Sequence, residues 1–214
     1  MATTEYSSER WELIERTRLR MEEWTRGERT DFVLDEDSEN RAFYPIVRYI
    51  NEYLDAATNE ILAVVPTWRL HECAKDLDVD ALEIRDGVGY VPCPEDFIKL
   101  EALKCRTWSR SVGNTDKQGT DSYTLQQNKH SRGIQDKPHV GLAFGNLEIY
   151  SMKDEDDLEF ARYIYRHKAE NTPRKLHDLI TLQCAYTVEG VFGNTTAVQL
   201  LGTQLQTQIA ALSA

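Results

Sequence analysis

The spacing of apolar residues changes period twice along this chain, and that double change constrains the fold more tightly than any single motif. In YPIVRYINEYLDAATNEILAVVP, residues 44–66, Ile46, Ile50, Tyr53, Leu54, Ala57, Ile61, Leu62 and Val65 recur every three or four positions. That pattern predicts one face of a helix, with Pro45 in its first turn and Pro66 as its stop. Past a short connector containing His71, Leu77 and Val79, the period falls to two. Ala81–Arg85 and Val88–Val91 alternate on either side of Asp86-Gly87, which predicts a hairpin. Phe97–Trp108 alternates again and predicts a third strand. Val140–Phe144 and Leu147–Met152, joined at Gly145-Asn146, predict a second hairpin, and Leu158–His167 predicts a sixth strand. The helical period returns after Pro173, through Leu176, Leu179, Ile180, Leu182, Cys184, Ala185 and Val188. Gly190 and Gly193-Asn194 break it. Thr195 or Thr196 then caps a last helix with Val198, Leu201, Leu205, Ile209 and Leu212 along one side.

Before the first long helix, Ser7 or Ser8 caps another, with Glu9, Glu12 and Glu15 at the positive end of its dipole. Trp11, Ile14, Leu19, Met21 and Trp24 supply its apolar stripe until Gly27 interrupts. DEDSEN, residues 35–40, reads as an acidic link or as the acidic start of the next helix. Residues 113–138 carry turn chemistry and polar side chains, and they predict a long excursion with one short helical turn. A loop of that length in a compact domain is usually functional or docked on a neighbour. The whole order predicts an α+β fold: a small helical bundle with an antiparallel β-rich block, about residues 80–170, inserted between its halves. The expected boundaries are 1–80 for the N-terminal helices, 81–170 for the block and 171–214 for the C-terminal helices.

At 214 residues the chain is long enough to bury a core without disulfides or metals. Its net charge of −11 argues against nonspecific attachment to nucleic acid or to an anionic membrane. The four cysteines (Cys73, Cys93, Cys105 and Cys184) form no Cys-x-x-Cys pair and read as reduced thiols of a protein made in the cytoplasm. The charged, amphipathic start is no signal peptide. No apolar run approaches the roughly 18–20 residues of a membrane span.

Candidate chemistry is sparse. His71, Cys73, Cys93 and Cys105 are the sharpest metal-site candidates, but only His71-x-Cys73 has close spacing, whereas structural zinc sites use ligand pairs about two to four residues apart. Cys93 lies between Pro92 and Pro94, on a rigid turn without a helix N-terminus to lower its pKa. Glu95-Asp96 and Asp154-Glu155-Asp156-Asp157 offer carboxylates, yet the run lacks the alternating ligands of a calcium loop. No phosphate-binding glycine loop, zinc-protease motif or nucleophile elbow is present. The reading is therefore no enzyme, no catalytic residue, no cofactor and no metal. Four tryptophans, ten tyrosines and a last helix whose polar face is Gln and Thr instead suggest protein–protein contact. Trp11, Trp24, Tyr123 and Gln204 are the interface candidates.

VGYVPCPEDFIKLEALKCRTWSRSV, residues 88–112, reads as a rigid corner leading into a strand. Pro94, Phe97 and Trp108 are its structural anchors, and Glu95 and Asp96 are expected to hold the turn by accepting backbone N–H groups. The corner Tyr90-Val91-Pro92-x-Pro94-Glu95-Asp96-Phe97-Ile98-Lys99-Leu100 is followed by Lys104-Cys105-Arg106-Thr107-Trp108. Tyr123-Thr124-Leu125-Gln126-Gln127-Asn128, Arg132-Gly133, Lys137-Pro138 and Leu147-Glu148-Ile149-Tyr150-Ser151 then appear in order. This ordered set resembles head-to-tail connector proteins of crAss-like and related Bacteroidales tailed bacteriophages, over about residues 44–205. Cys93 and Ser111 depart from the pattern, which has a connecting residue and a proline there.

The resemblance implies a structural virion protein at the neck, made in the host cytoplasm. It implies a homo-oligomeric adaptor ring of twelve copies below the portal, touching the portal protein and other neck and tail rings. It also implies double-stranded DNA passing through the channel during genome ejection without sequence recognition, and no membrane partner. Asp154, Glu155, Asp156 and Asp157 are candidates to face that channel, where negative charge repels phosphate. The competing readings are a tail terminator, a head-completion stopper, or a cytoplasmic metal-dependent hydrolase using His71, Cys73 and the acidic residues.

Overall fold

The structure is a computed structural model that describes residues 6–25, 36–153 and 156–213. It is an α+β protein divided into two compact units, 1–66 with 167–214 and 67–166. The first unit holds helices and the second holds the strands. The division falls at Pro66/Thr67 and Arg166/His167, so the segment from 67 to 80 belongs with the strands and not with the N-terminal helices.

The helical unit is built from α1 (Ser8–Thr25), α2 (Glu36–Val64), α4 (His177–Val191) and α5 (Thr195–Ser213). The remaining helix, α3, belongs to the other unit. Helix α4 is the middle of the bundle: α1, α2 and α5 each pack against it. This is why its buried residues occupy every side, from Leu179, Ile180 and Leu182 to Cys184, Ala185 and Val188. In α2 the buried face runs Val47, Ile50, Leu54, Ala57, Ile61 and Leu62 and continues to Val65 just past its end, while Ile46 and Tyr53 are half-buried at its border. The helix begins at Glu36, so DEDSEN belongs to it from its second residue and Pro45 lies inside the helix, not in its first turn.

Helix α1 turns Leu13, Ile14, Thr17 and Met21 inward, while Leu19 is 51% exposed and Trp11 40% exposed. Thr17 is tolerated there because its hydroxyl donates to the Leu13 carbonyl at 2.8 Å. Ser7, not Ser8, caps the helix, its Oγ accepting the Arg10 N–H at 3.2 Å. The half-buried Arg10 guanidinium ties three segments together. It donates to Asn51 Oδ1 at 2.7 Å, Asp55 Oδ1 at 2.9 Å and Glu170 Oε2 at 2.7 Å. Asp55 also accepts the Ala169 N–H at 3.0 Å, and Asn59 Oδ1 accepts the His167 N–H at 3.0 Å. The chain returning into the bundle is thereby held on α2.

Helices α4 and α5 meet at a Schellman turn. Gly193, with φ +74°, donates to the Gly190 carbonyl, and Asn194 donates to the Glu189 carbonyl, each at 3.1 Å. Asn194 is also the N-cap of α5: its Oδ1 accepts the Ala197 N–H at 3.2 Å. The expected cap at Thr195 or Thr196 is therefore one or two residues late.

The strand unit contains two sheets over a shared core. One has the antiparallel order β1-β8-β4, with β1 at Ala74–Asp76, β4 at Phe97–Cys105 and β8 at Leu158–Tyr165. The other has the order β2-β3-β7-β6-β5, with β2 at Glu83–Arg85, β3 at Val88–Pro92, β5 at Asp116–Lys117, β6 at Val140–Ala143 and β7 at Asn146–Ile149. The block is not wholly antiparallel, since β5 pairs in parallel with β6. Val91, Leu100, Leu103, Trp108, Val140, Leu147, Ile149, Leu158, Ala161 and Tyr163 fill the common core.

Both hairpin turns carry positive φ at both central residues, as type I′ turns require. In the β2–β3 turn these are Asp86 (φ +54°) and Gly87 (φ +71°), a favoured pair. In the β6–β7 turn they are Phe144 (φ +50°) and Gly145 (φ +76°), one position ahead of the Gly145-Asn146 junction expected from sequence. Asn146 is the first residue of β7.

Candidate functional site

Three of the stretches that carry the family resemblance, 123–128, 132–133 and 147–151, meet within the strand unit. The excursion after β4 contains β5 and helix α3 (Asp121–Gln127), the single short helix expected there. Thr120 caps α3 through its Oγ1, which accepts the Tyr123 N–H at 3.3 Å. Tyr123 then reaches β7, where its hydroxyl donates to Glu148 Oε2 at 2.9 Å. The Tyr150 hydroxyl donates to the same oxygen and accepts from Gln127 Nε2 at 2.7 Å. Glu148 is buried, and its carboxylate is sustained there by two phenol donors. Burial, followed by the bonds to Glu148, pushes both phenols above the ordinary tyrosine range, so both remain protonated donors. Tyr123 was an interface candidate from sequence. It is 8% exposed and serves its own unit instead.

Gln126 completes the docking. Its side chain is buried, and Oε1 accepts the Gly133 N–H at 2.7 Å. Arg132 donates to the Gln126 carbonyl at 3.2 Å and to the Asp86 carbonyl at 2.8 Å, which links the excursion to the β2–β3 turn. Only glycine fits at 133: a Cβ there would lie 2.7 Å from Ser151 Oγ and 2.8 Å from the Lys137 carbonyl. Ser151 Oγ in turn accepts the His139 N–H at 3.2 Å. Helix α3 is thus held by two sets of bonds, Tyr123 and Gln127 with Glu148 and Tyr150, and Gln126 with Arg132 and Gly133.

The Pro94 corner is built as a strand start. The Pro94 carbonyl accepts the Phe97 N–H at 3.0 Å, and the Phe97 ring stacks on Tyr163 with 5.5 Å between centroids. Trp108 is 3% exposed and donates from Nε1 to the Ser151 carbonyl at 3.1 Å. The Asp96 carboxylate accepts its own backbone N–H in the turn and also reaches beyond it. It accepts from Lys75 Nζ at 2.6 Å and from the Tyr163 hydroxyl at 3.0 Å, tying β1 and β8 to the corner. Lys75 holds that carboxyl below the usual aspartate range, and its ammonium also lies over the Tyr165 ring, 4.6 Å from the centroid.

Three of the four thiols sit in surroundings that oppose ionisation. Burial pushes Cys93 up to about 11, Cys105 up to about 12 and Cys184 up to about 12. His71 directs Nδ1 to the buried Glu101 carboxylate, whose other oxygen lies 3.2 Å from Arg162 Nη1. Among the described residues, no three His, Cys, Asp or Glu side chains gather where they would hold a metal ion.

Of the acidic run, Asp154 and Glu155 lie outside the described residues. Asp156 turns into its own unit. It is 8% exposed, accepts from the Thr107 hydroxyl, and takes the Asp157 N–H on its other oxygen at 3.0 Å. Asp157 pairs with Arg106 at 3.2 Å, and its Oδ1 accepts the Leu158 N–H at 2.9 Å. These two residues start β8 and hold it against the end of β4.

The remaining contact candidates lie in the helical unit. Trp11 is partly exposed and stacks on Tyr6 with 6.1 Å between centroids, and the Trp24 side chain lies outside the described residues. Gln204 is exposed on α5, a helix with no ionisable residue from Thr195 to Ser213. Larger apolar side chains are exposed at Phe144, Ile134, Leu125, Trp68 and Phe192. No described helix is long and apolar enough to cross a membrane. Comparison of the chain with protein-family models and with characterised proteins finds no match to either.

Proposed function

We propose that the chain is a structural virion protein, one subunit of a homo-oligomeric ring in the head-to-tail connector of a tailed bacteriophage. In this reading the ring lies below the portal, joins capsid to tail and surrounds the exiting DNA. The observation that carries the proposal is the convergence of the marker stretches. Tyr123 to Gln127, Arg132-Gly133 and Glu148 to Ser151 are separate in sequence, yet helix α3 bonds to β7 and Tyr150 on one side and to Gly133 on the other. Three of the stretches that suggest the family therefore hold the excursion in place, while the Pro94 corner ties β1 and β8 together. A docked excursion with exposed Leu125 and Ile134 and an uncharged α5 also suit a subunit with several neighbours.

The acidic balance suits a DNA conduit, since negative charge does not retain phosphate. Asp156 is buried in its own unit, so Asp154, Glu155 and the exposed Asp157 remain the candidates from that run. Electron microscopy of assembled particles and mass measurement of the purified chain test the proposal. A rotationally symmetric ring at the neck is the expected result. A chain that stays monomeric inside the particle sinks it.

A further inference from the structure

Two positions in this chain break local rules for which their own surroundings offer no reason. The first is Phe144 at the tip of the β6–β7 hairpin. It adopts φ +50°, a region that suits Asn, Asp or Gly and disfavours a bulky side chain, and its ring is 82% exposed. The second is Gly190 in the last turn of α4. Glycine weakens a helix relative to alanine, yet a Cβ at 190 would meet only Val198 Cγ2, at an ordinary 3.9 Å. What the bare backbone does leave is an open, mainly apolar cavity of about 280 Å³ lined by Gly190, Gly193, Thr195, Val198 and Gln199.

We propose that Phe144 of one copy inserts into the α4–α5 cavity of a second copy of this chain. The choice of occupant rests on charge. Each copy carries −11, so contact between copies is least costly where neither side presents an ionisable group. The hairpin from Val140 to Leu147 has none, and α5 has none from Thr195 to Ser213. An exposed aromatic knob and an apolar socket, each disfavoured locally, complement one another in size and polarity. Local conflicts of this kind are expected at functional contacts. Knob and socket are different surfaces, so the contact is heterologous and each copy keeps one of each free for the next; repeated with closure it gives a ring. This step rests on the ring reading above and names the contact that would build it.

Two variants and one crosslinker test it on the full-length chain. Phe144→Asn suits the turn better, and Gly190→Ala suits the helix better while narrowing the cavity. Each is expected to leave the thermal midpoint unchanged or raised; Phe144→Asn should weaken self-association by about 30-fold, the loss typical of a buried aromatic hot spot, and Gly190→Ala should weaken it by less. A side chain placed for folding would move the midpoint in the opposite direction. With p-benzoylphenylalanine at position 144, ultraviolet irradiation should yield covalent dimers whose crosslink maps by mass spectrometry to residues 190–199. Rings that survive both substitutions, or crosslinks that map elsewhere, overturn the knob contact and leave the ring reading standing. A wild-type chain that remains monomeric at tens of micromolar, and in the particle, overturns both.

Discussion

At the scale of single residues, the most consequential group is the Glu148 carboxylate. It sits in the strand unit with the Tyr123 and Tyr150 hydroxyls as its donors, and Gln127 secures Tyr150 from behind. Glu148→Ala removes the acceptor and leaves both phenols buried without it, so a loss of about 3 kcal/mol is expected. Urea unfolding measures that loss, and limited proteolysis should show new cleavage within residues 113–138 before global unfolding. Unchanged protease resistance there would mean that the excursion is held by other contacts. Lys99 gives a pH-dependent counterpart. Burial pushes its ammonium down to about 8 in the folded chain, below the usual 10.5. Between those values the unfolded chain holds more protons, so stability rises as pH increases from 8 toward 10.5. Lys99→Met should flatten that rise and stabilise the protein at pH 7 by about 1 kcal/mol, the side chain being only partly buried. Urea titrations of both proteins at pH 7 and pH 10 make the comparison. Parallel pH profiles would remove Lys99 as the source.

At the scale of elements, what was legible in the sequence depended on how many residues repeat a signal. Helices α2, α4 and α5 are clear because five or more apolar positions recur at helical spacing in each. Strands β1 and β5, with three and two residues, are too short to show a period and appear only through their partners. The stripe of α1 was misplaced because Thr17 is polar yet buried, its hydroxyl satisfied by Leu13. The second hairpin was read one residue late because Phe144 in a left-handed conformation contradicts local preference, whereas Gly-Asn fits a turn. The Glu148 network could not be read at all, since its donor Tyr123 lies 25 residues away and only folding brings them together. The α4–α5 corner shows the same limit on a smaller scale. Asn194 both closes the Schellman turn through its N–H and caps α5 through Oδ1. Asn194→Ala keeps the first bond and removes the second, so a loss of about 1 kcal/mol is expected. Thermal unfolding together with hydrogen exchange at Ala197 tests this, because a cap acts on that amide specifically. If exchange at Ala197 is unchanged, the cap contributes nothing.

At the scale of the whole molecule, the helical unit is assembled from both ends of the chain and the strand unit from its middle. Helix α4 comes from the second segment but is enclosed by α1 and α2 from the first, so neither segment can bury its apolar surface alone. The strand unit differs, because its core lies wholly between Thr67 and Arg166. Its ends are also neighbours. β1, near the start, pairs with β8, near the end, in the register Ala74↔Ile164 and Asp76↔Arg162, and the Leu77 N–H donates to the Ala161 carbonyl at 2.9 Å. Adjacent ends are what allow one domain to be inserted into another without straining either. The Glu148 network and the Lys75–Asp96–Tyr163 cluster lie inside this unit as well. Expressed alone, the fragment Thr67–Arg166 should therefore fold, with a single cooperative urea transition and a buried Trp108 reporting by fluorescence. The helical segments, expressed separately, should not show a cooperative transition until mixed or joined by a short linker. A fragment that unfolds without cooperativity would mean that the strand core depends on the helical unit, and would overturn the insertion as an independent folding module.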